Sequence, residues 1–229
     1  MEVEGCDLPE DRLYDLDHDV WLQRSGDGRT ATLGVLASLA SFAGRFHTVG
    51  FRPVDGVVAR GRSVATIESV RYTGAVRLPL DARVLERNPA IVARPKLLND
   101  APYGEGWVVV IAPVDGAADG LVDAAGARER LAERIREMRI RCYPAAPDVE
   151  VYEIGAECSA ILARLDEELA PRPARDVVLL VTDDPTSPIE MVRWTDRTGH
   201  SLLAHRKEGS LHHFLVRKEE HPTPRIRRR

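Results

Sequence analysis

One cysteine stands at a position where a thiol could act as a nucleophile. Cys158 ends the run Gly155-Ala156-Glu157-Cys158, which lies between a predicted strand and a predicted helix. At a helix N-terminus, free backbone N–H groups and the positive end of the helix dipole favour the thiolate that nucleophilic sulfur chemistry needs. Glu157 acts in the opposite direction, because a neighbouring carboxylate raises the pKa of a thiol. The alternative is a buried cysteine that packs as a small apolar side chain.

The other two cysteines, Cys6 and Cys142, have no spacing typical of a metal site or of a disulfide framework. Cys142 follows three arginines, and nearby cations favour a thiolate. It could act as a resolving thiol for Cys158, or it could simply be a packing residue. The histidines lack metal-ligand pairing with the cysteines, so we expect no zinc site. We expect the thiols to be reduced in a cytoplasmic protein.

A charged side chain is predicted at the tip of a hairpin. The hydrophobic runs at 63–67 and 75–78 are typical of two strands, and Arg71 lies near the crest of the turn between them. Arg71 is either a solvated turn residue or a guanidinium fork that binds a carboxylate or a phosphate. Glu68 and His18 have the same double interpretation, as docking contacts or as ordinary surface residues.

Composition and charge describe a globular chain. Its 229 residues are 44% hydrophobic and 30% charged, which suffices for a core in each half. A formal net charge of −4 argues against nucleic acid or another polyanion as the partner of the whole chain. No apolar stretch approaches the roughly 20 residues that span a bilayer, and the acidic N-terminus lacks the features of a signal peptide. We therefore expect a cytoplasmic protein without membrane contact.

The pattern of predicted elements changes along the chain. Short strands with Gly and Pro turns between 14 and 111 predict an all-β sandwich or barrel, and 123–138 has the spacing of an amphipathic helix. After a Pro-rich breaker, the order β-α-β-α-β-β predicts a two-layer α+β domain with helices on one face of a small sheet. We predict domains at 1–143 and 144–219 and a basic disordered tail at 220–229.

Several motifs of the first half resemble those of the glycine cleavage system H protein. The most specific is NDAPYGEGW at Asn99 to Trp107, accompanied by YDLDHDVW at Tyr14 to Trp21 and by Glu68-Ser69-Val70. The resemblance covers roughly residues 13–135. It implies a lipoyl-type barrel-sandwich hybrid fold. It also implies a lysine after Glu-Ser-Val, on the hairpin tip, that carries amide-linked lipoate between partner enzymes.

Arg71 stands where the resemblance implies the lipoyl lysine. Acylation needs a neutral amine, whereas a guanidinium with a pKa above about 12 stays protonated and delocalised. We therefore expect no lipoate at Arg71 and no other cofactor. Lys96, the nearest lysine, lies outside the hairpin. Arg71 argues against an ordinary glycine cleavage carrier.

The stretch from 149 to 218 resembles the TusA/SirA-like sulfur carriers, which are small β-α-β-α-β-β proteins. The resemblance rests on the run that ends at Cys158, on VLLVTDDPT at Val178 to Thr186, and on the closing strand Phe214 to Lys218. It implies that Cys158 accepts a persulfide and passes it on, with Asp183 and Asp184 nearby as supporting residues. The family motif Cys-Pro-x-Pro reads Cys-Ser-Ala-Ile here, so both prolines are missing, which weakens the implied sulfur transfer but not the implied fold.

Two functions follow as hypotheses. In the first, the protein is a sulfurtransferase-like carrier with a transient persulfide on Cys158. The H-protein-like half would then dock protein partners, either sulfur donors and acceptors or lipoyl-pathway enzymes. In the second, both halves have lost their reactive residues and the protein is a non-catalytic binding scaffold. Glu68, Glu157 and Cys142 are candidate docking or supporting residues, and the sequence leaves open whether the protein is an enzyme.

Overall fold

The chain forms two compact units. The computed structural model of the protein describes residues 1–114 and 120–224. Unit 1 is Met1–Cys142, and unit 2 begins at Tyr143. The division predicted from the sequence lies one residue later, before the Pro-rich breaker.

Unit 1 is built mainly from short strands. Its strands are β1 (Glu2–Val3), β2 (Cys6–Asp7), β3 (Leu13–Asp15), β4 (Val20–Arg24), β5 (Ala31–Val35), β6 (Phe46–Phe51), β7 (Val57–Val58), β8 (Ser63–Ser69), β9 (Thr73–Arg77), β10 (Ala82–Arg87) and β11 (Val109–Pro113). Its helices are α1 (Ala37–Ala43), α2 (Pro89–Ala93), α3 (Leu97–Asp100) and α4 (Ala124–Glu137). The prediction of a mainly β first half that ends in a helix is confirmed.

The strands of unit 1 form two larger sheets over one core. One sheet has the order β3-β4-β5-β11-β10-β7 and the other has the order β6-β8-β9, with antiparallel neighbours throughout. Alternate side chains of both sheets enter the same hydrophobic cluster, for example Leu33 and Ile111 from the first and Ile67 and Val76 from the second. This arrangement leaves the β8–β9 turn projecting at the end of the smaller sheet.

Helix α4 closes unit 1 because its sequence has one apolar face and a good N-cap. The side chain of Asp123 accepts a hydrogen bond of 2.8 Å from the backbone N–H of Gly126, which satisfies one free donor of the first turn. Leu131 and Ile135 are buried at helical spacing against the core. The predicted amphipathic helix over 123–138 is confirmed.

Unit 2 has the predicted order of elements. These are β12 (Val149–Glu153), α5 (Cys158–Leu169), β13 (Val177–Thr182), α6 (Ser187–Thr198), β14 (Ser201–Glu208) and β15 (Leu211–Arg217). The sheet order is β12-β13-β15-β14, in which β12 and β13 are parallel and the other neighbours antiparallel. A parallel pair needs a crossover, and α5 supplies it.

Both helices of unit 2 pack on one face of its sheet. Leu165 of α5 and Trp194 of α6 are fully buried against sheet residues such as Leu180 and Phe214. The indole N–H of Trp194 donates a 2.9 Å hydrogen bond to Asp166, which joins the two helices. This packing brings the start of α5 and the start of α6 to the same end of β13, where the candidate thiol lies.

The C-terminal segment is described only in part. Residues 220–224 are exposed, and the backbone of Thr223 lies close to Gly199 at the end of α6. Residues 225–229, which belong to the predicted disordered tail, lie outside the described residues. Across the described parts of both units, no helix is long and apolar enough to cross a membrane.

Candidate functional sites

Arg71 lies in the tight turn between β8 and β9, as predicted, but its side chain is not simply solvated. The guanidinium is exposed, yet its Nε donates to the carbonyl of Phe42 at 3.1 Å and its Nη2 donates to the carbonyl of Ser41 at 3.3 Å. Its carbon and nitrogen atoms also lie about 3 Å from where a side chain on Gly44 would begin. Arg71 therefore folds back onto the C-terminus of α1.

The C-terminal carbonyls of α1 all accept hydrogen bonds from side chains. The last four carbonyls of a helix have no partner within it. In α1 the two carbonyls not bonded to Arg71 are those of Ala40, which accepts from Asn99 Nδ2 at 2.9 Å, and Ala43, which accepts from the Ser69 hydroxyl at 2.6 Å. A cation at this end also compensates the negative end of the helix dipole. Arg71 thus completes the cap of α1 together with Asn99 and Ser69.

The surface beside Arg71 is apolar. Val70, at the crest of the turn, is 97% exposed, and Phe42 is 39% exposed. The ring of Tyr72 lies edge-on to Phe42 and to Phe46, each with a centroid separation of 6.4 Å. Burial, and to a smaller extent the charge of Asp19, raise the pKa of Tyr72, so its hydroxyl stays protonated at neutral pH. The tip therefore offers a valine and an aromatic edge next to one fixed cation.

The motif Asn99 to Trp107 holds the fold of unit 1 together. Besides capping α1, Asn99 accepts from the backbone N–H of Phe46 at 2.9 Å. The carbonyl of Pro102 accepts from the indole N–H of Trp21 at 3.0 Å, and the Tyr103 hydroxyl accepts from Ala37 at the N-terminus of α1 at 3.2 Å. These polar atoms of Asn99, Pro102 and Tyr103 bond backbone groups or a buried side chain, so we interpret the most specific motif of the sequence as structural.

Two further residues of unit 1 were singled out from the sequence. His18 is half-buried, and its Nδ1 lies 2.7 Å from Oδ2 of the buried Asp15, so it belongs to a local network and does not point freely outward. Glu68 is half-exposed on β8, opposite Thr48 and Thr73 on the neighbouring strands.

Cys142 corrects two expectations of the sequence analysis. It forms a disulfide with Cys6, with a Cα–Cα distance of 5.0 Å, so it is neither a reduced thiol nor a resolving partner for Cys158. The two cysteines are 136 residues apart, and only the folding of β2 beside the end of unit 1 brings them together. No spacing rule in the sequence could have found this pair. Cys158 is the free cysteine of the chain.

Cys158 is the first residue of α5 and is partly exposed, as a nucleophilic thiol requires. Its pKa, however, is raised. The largest cause is burial, followed by the negative charge of Asp184, while a hydrogen bond with the Thr186 hydroxyl lowers the pKa and the charge of Glu190 raises it. The net shift is therefore opposite to the direction expected from the helix N-terminus alone.

Asp184 is the second cause of the raised pKa of Cys158, after burial. Its carboxylate accepts from the backbone N–H and the hydroxyl of Thr186, both at 2.7 Å, and from the backbone N–H of Cys158. These bonds lower the pKa of Asp184, so it is ionised at neutral pH. The carboxylate therefore occupies the anion position at the start of α5 that a thiolate would otherwise use.

The other predicted residues of this site have separate roles. Asp183 accepts a 2.7 Å hydrogen bond from the backbone N–H of Gly155, which ties the loop after β13 to the turn before α5. Glu157 is the exposed N-cap of α5, and its side chain makes no capping bond. Asp183 is thus a positioning residue for the Cys158 turn, and Glu157 is a surface residue beside it.

A histidine pair near this site was not anticipated. Nε2 of His205 and Nδ1 of His212 are 2.9 Å apart, and His212 lies opposite Thr182 in the sheet register. Burial lowers the pKa of both rings, so the pair is neutral at neutral pH. The only sequence signal is their position on the two strands of one hairpin. Among the described residues, no group of three or more His, Cys, Asp or Glu side chains is arranged to hold a metal ion.

Comparison with known proteins identifies unit 1. The profile of the family "Glycine cleavage H-protein" matches residues 12–134, which is more than half of the chain. Glycine cleavage system H protein 5 of Aquifex aeolicus is 39% identical over 147 residues, which cover 62% of this chain and 98% of that protein. The glycine cleavage system H protein of Thermus thermophilus is 36% identical over 126 residues, which cover 55% of this chain and 96% of that protein.

The matched residues carry the features described for unit 1. They include the β8–β9 hairpin, the Asn99 to Trp107 motif and most of α4. The resemblance stated from the motifs is therefore confirmed for the first half of the chain. The chain belongs to the glycine cleavage H-protein family.

Proposed function

We propose that unit 1 binds partner proteins without carrying a lipoyl arm. The observation that carries this proposal is the position of Arg71. Its guanidinium stands where the family resemblance implies the lipoyl lysine, and it is hydrogen-bonded to the carbonyls of Ser41 and Phe42. A guanidinium offers no neutral amine for acylation, so the residues present do not fit a lipoyl group. The function left to the hairpin is recognition.

The tip of the hairpin is suited to recognition. Val70 is almost fully exposed, and the edge of Phe42 extends the apolar surface beside it. Apolar and aromatic side chains near a fixed cation are typical of the centre of a protein interface. We propose that this tip contacts enzymes that handle lipoyl domains, since their binding sites already fit an H-protein-like hairpin.

Mass spectrometry tests the loss of the arm. The protein is co-expressed with a lipoate-attaching enzyme, as wild type and as Arg71→Lys. We expect the wild type to stay unmodified and Arg71→Lys to gain a lipoyl group at residue 71. A lipoyl group on any residue of the wild type, including Lys96, would overturn the proposal. An unmodified Arg71→Lys would show that residue 71 is not the family's modification position.

Affinity capture tests recognition by the tip. The bait proteins are the wild type, Val70→Asp and a matched control, Leu85→Asp, in which a 55% exposed residue of β10 is replaced. A charge at the centre of an interface weakens binding by roughly tenfold or more. We expect lipoyl-handling enzymes to be captured by the wild type and the control and to be lost with Val70→Asp. Equal capture by all three baits would refute the role of the tip.

A second candidate function concerns unit 2. Cys158 could carry a sulfane sulfur, and the observation that favours this is a free, partly exposed thiol on the first turn of α5, with the Thr186 hydroxyl in contact with it. In the transfer, the Cys158 thiolate attacks the outer sulfur of a donor persulfide. The new S–S bond forms on Cys158, the donor S–S bond breaks, and the donor leaves as a thiolate. Cys158 becomes the persulfide and the donor cysteine becomes the thiolate, so no oxidant is consumed.

The raised pKa of Cys158 sets a condition on this second function. At neutral pH the thiol is mostly protonated, so a donor protein would have to remove the proton or displace Asp184 on docking. Incubation with a persulfide donor, followed by peptide mapping, tests the idea. A reductant-reversible gain of one sulfur on Cys158, absent in Cys158→Ser, supports the carrier. An unmodified Cys158, under conditions that load a known sulfur carrier, refutes it.

A further inference from the structure

A cavity of about 470 Å³ lies in unit 1 at the base of the β8–β9 hairpin. Its lining consists of Arg52, Pro53, Val54, Val58, Arg62, Ser63 and Arg77. We call it the arginine cavity. It lies far from the hairpin tip, because Ser63 and Arg77 pair at one end of the hairpin and Arg71 turns at the other. Six residues of extended strand separate the two ends by roughly 20 Å.

The charge of the arginine cavity is positive and uncompensated by its own lining. Three of the lining residues are arginines, and none is acidic. Within residues 1–114 and 120–224, the side chains of Arg52 and Arg62 have no hydrogen-bond or ion-pair partner, and both residues are exposed. This concentration of charge is local, since the whole chain has a formal net charge of −4.

The third arginine is held in place. Nη1 of Arg77 donates a 2.8 Å hydrogen bond to the carbonyl of Gly61, which leaves other N–H groups of the same guanidinium for a ligand. The carbonyl of Val54 accepts a longer bond, 3.4 Å, from Nη2 of Arg87, so a fourth guanidinium lies beside the rim. Two adaptable cations and one fixed cation thus surround one space.

The remaining lining is apolar. Val58 is buried and, together with Val54 and Pro53, gives the cavity a hydrocarbon wall. Cavities of a few hundred cubic ångströms are of the size that holds small organic ligands, which are usually bound by apolar walls and a few well-placed polar groups. A cavity that combines this wall with three guanidinium groups suits a ligand with an anionic end and an apolar or aromatic body.

We propose that the arginine cavity binds a small phosphate ester, with its phosphate on Arg52, Arg62 and Arg77 and its body on Val54 and Val58. Guanidinium groups bind phosphate through paired N–H···O bonds. A phosphate monoester carries up to about two negative charges and a diphosphate more, so either offsets more of the charge of three arginines than a single carboxylate does. A concave space, and not a flat surface, favours a small molecule over an acidic peptide.

Calorimetric titration of the full-length protein tests this proposal. The probes are pyrophosphate, ADP as a phosphate with an aromatic body, and citrate as a carboxylate of comparable charge. We expect saturable binding of pyrophosphate at one site, tighter binding of ADP because its body adds contact with the wall, and weaker binding of citrate. The double variant Arg52→Gln/Arg62→Gln lacks two charged hydrogen-bond donors. We expect it to bind pyrophosphate roughly tenfold or more weakly than the wild type.

The matched control removes the same charge elsewhere in unit 1. Arg24 and Arg29 are exposed residues at the β4–β5 turn, so Arg24→Gln with Arg29→Gln changes the net charge equally without touching the cavity. We expect this variant to bind pyrophosphate as the wild type does. Absence of binding to the wild type, or an equal loss in both variants, overturns the proposal. Binding of citrate or of a heptaglutamate peptide more tightly than both phosphate probes overturns the choice of a phosphate ester.

Discussion

The two units treat the ends of their helices in opposite ways. In unit 1 a cation, Arg71, lies at the C-terminus of α1 and donates to its carbonyls. In unit 2 an anion, Asp184, lies at the N-terminus of α5 and accepts from its first backbone N–H. Both arrangements compensate the helix dipole. They differ in the group that lies at the helix end: a hydrogen-bonded guanidinium at the end of α1, and a free thiol at the start of α5.

The difference shows that a helix end does not determine reactivity by itself. Cys158 has the position of an activated cysteine, but Asp184 already uses the local N–H groups, so the thiol meets a negative charge there. Arg71 has the position of a modified lysine, but it serves the cap of α1. In unit 2 the carboxylate that accepts from the helix N–H groups opposes the ionisation of the thiol beside it, in addition to the effect of burial.

The largest expected effect is on the stability of unit 1 and comes from removal of its disulfide, Cys6–Cys142. Closing a loop of more than a hundred residues with a disulfide contributes about 2–5 kcal/mol, so Cys6→Ser with Cys142→Ser should lower the free energy of unfolding by that amount. Urea unfolding, monitored by the tryptophans, measures it. Cys158→Ser is the matched control and should change the value by less than about 0.5 kcal/mol.

Alkylation without reductant independently tests whether Cys6 and Cys142 are bonded while Cys158 is free. Native protein should take one label, on Cys158, and reduced protein in urea should take three, because the sequence contains three cysteines. Three labels on the native, unreduced protein would show that Cys6 and Cys142 are free thiols and would contradict the disulfide.

A smaller effect is expected at the cap of α1. Arg71→Ala removes two hydrogen bonds and one favourable charge at the helix end, on an exposed residue, so unit 1 should lose about 0.5–1.5 kcal/mol of stability. Arg71→Lys keeps the charge and should lose less. Thermal unfolding compares both with Arg29→Ala, an exposed arginine without a helix end beside it. If Arg29→Ala costs as much as Arg71→Ala, the side chain of Arg71 does not cap α1.

Much of the fold could be predicted because its signals are local. Turn residues between short apolar runs gave the strands of unit 1, and helical spacing gave α4 and the helices of unit 2. The hairpin that presents Arg71 is also local, since its strands are joined by a short turn. What could not be predicted is the partner of Arg71, because Ser41 and Phe42 lie about thirty residues away in the sequence.

The same limit applies to the cysteines and to the arginine cavity. Cys6 and Cys142 are 136 residues apart, and no local pattern reports that β2 lies beside the end of unit 1. Asp184 was recognised as a residue of the Cys158 site, but its hydrogen bond to the start of α5 depends on how the loop after β13 folds back. Arg52, Arg62 and Arg77 are spread over three strand ends and have no shared spacing.

The smallest effect, and the most specific to unit 2, is expected from Asp184→Asn. The charge of Asp184 raises the pKa of Cys158, so its removal should lower that pKa. The alkylation rate, which increases as the thiol ionises, should then begin to increase at a lower pH. The measurement is the rate of iodoacetamide labelling between pH 6 and about 10, where an ordinary thiol titrates. At neutral pH the variant should react faster than the wild type, because more of its thiol is ionised.

Asp183→Asn is the control that separates charge from position. Asp183 is the preceding carboxylate, but it holds Gly155 and does not figure among the groups that shift the pKa of Cys158. We expect its replacement to leave the pH profile in place. A profile unchanged in Asp184→Asn as well would mean that the charge of Asp184 does not raise the pKa of the thiol, so that burial and Glu190 account for the shift. The contrast between the start of α5 and the end of α1 would then rest on the geometry of their hydrogen bonds and not on charge.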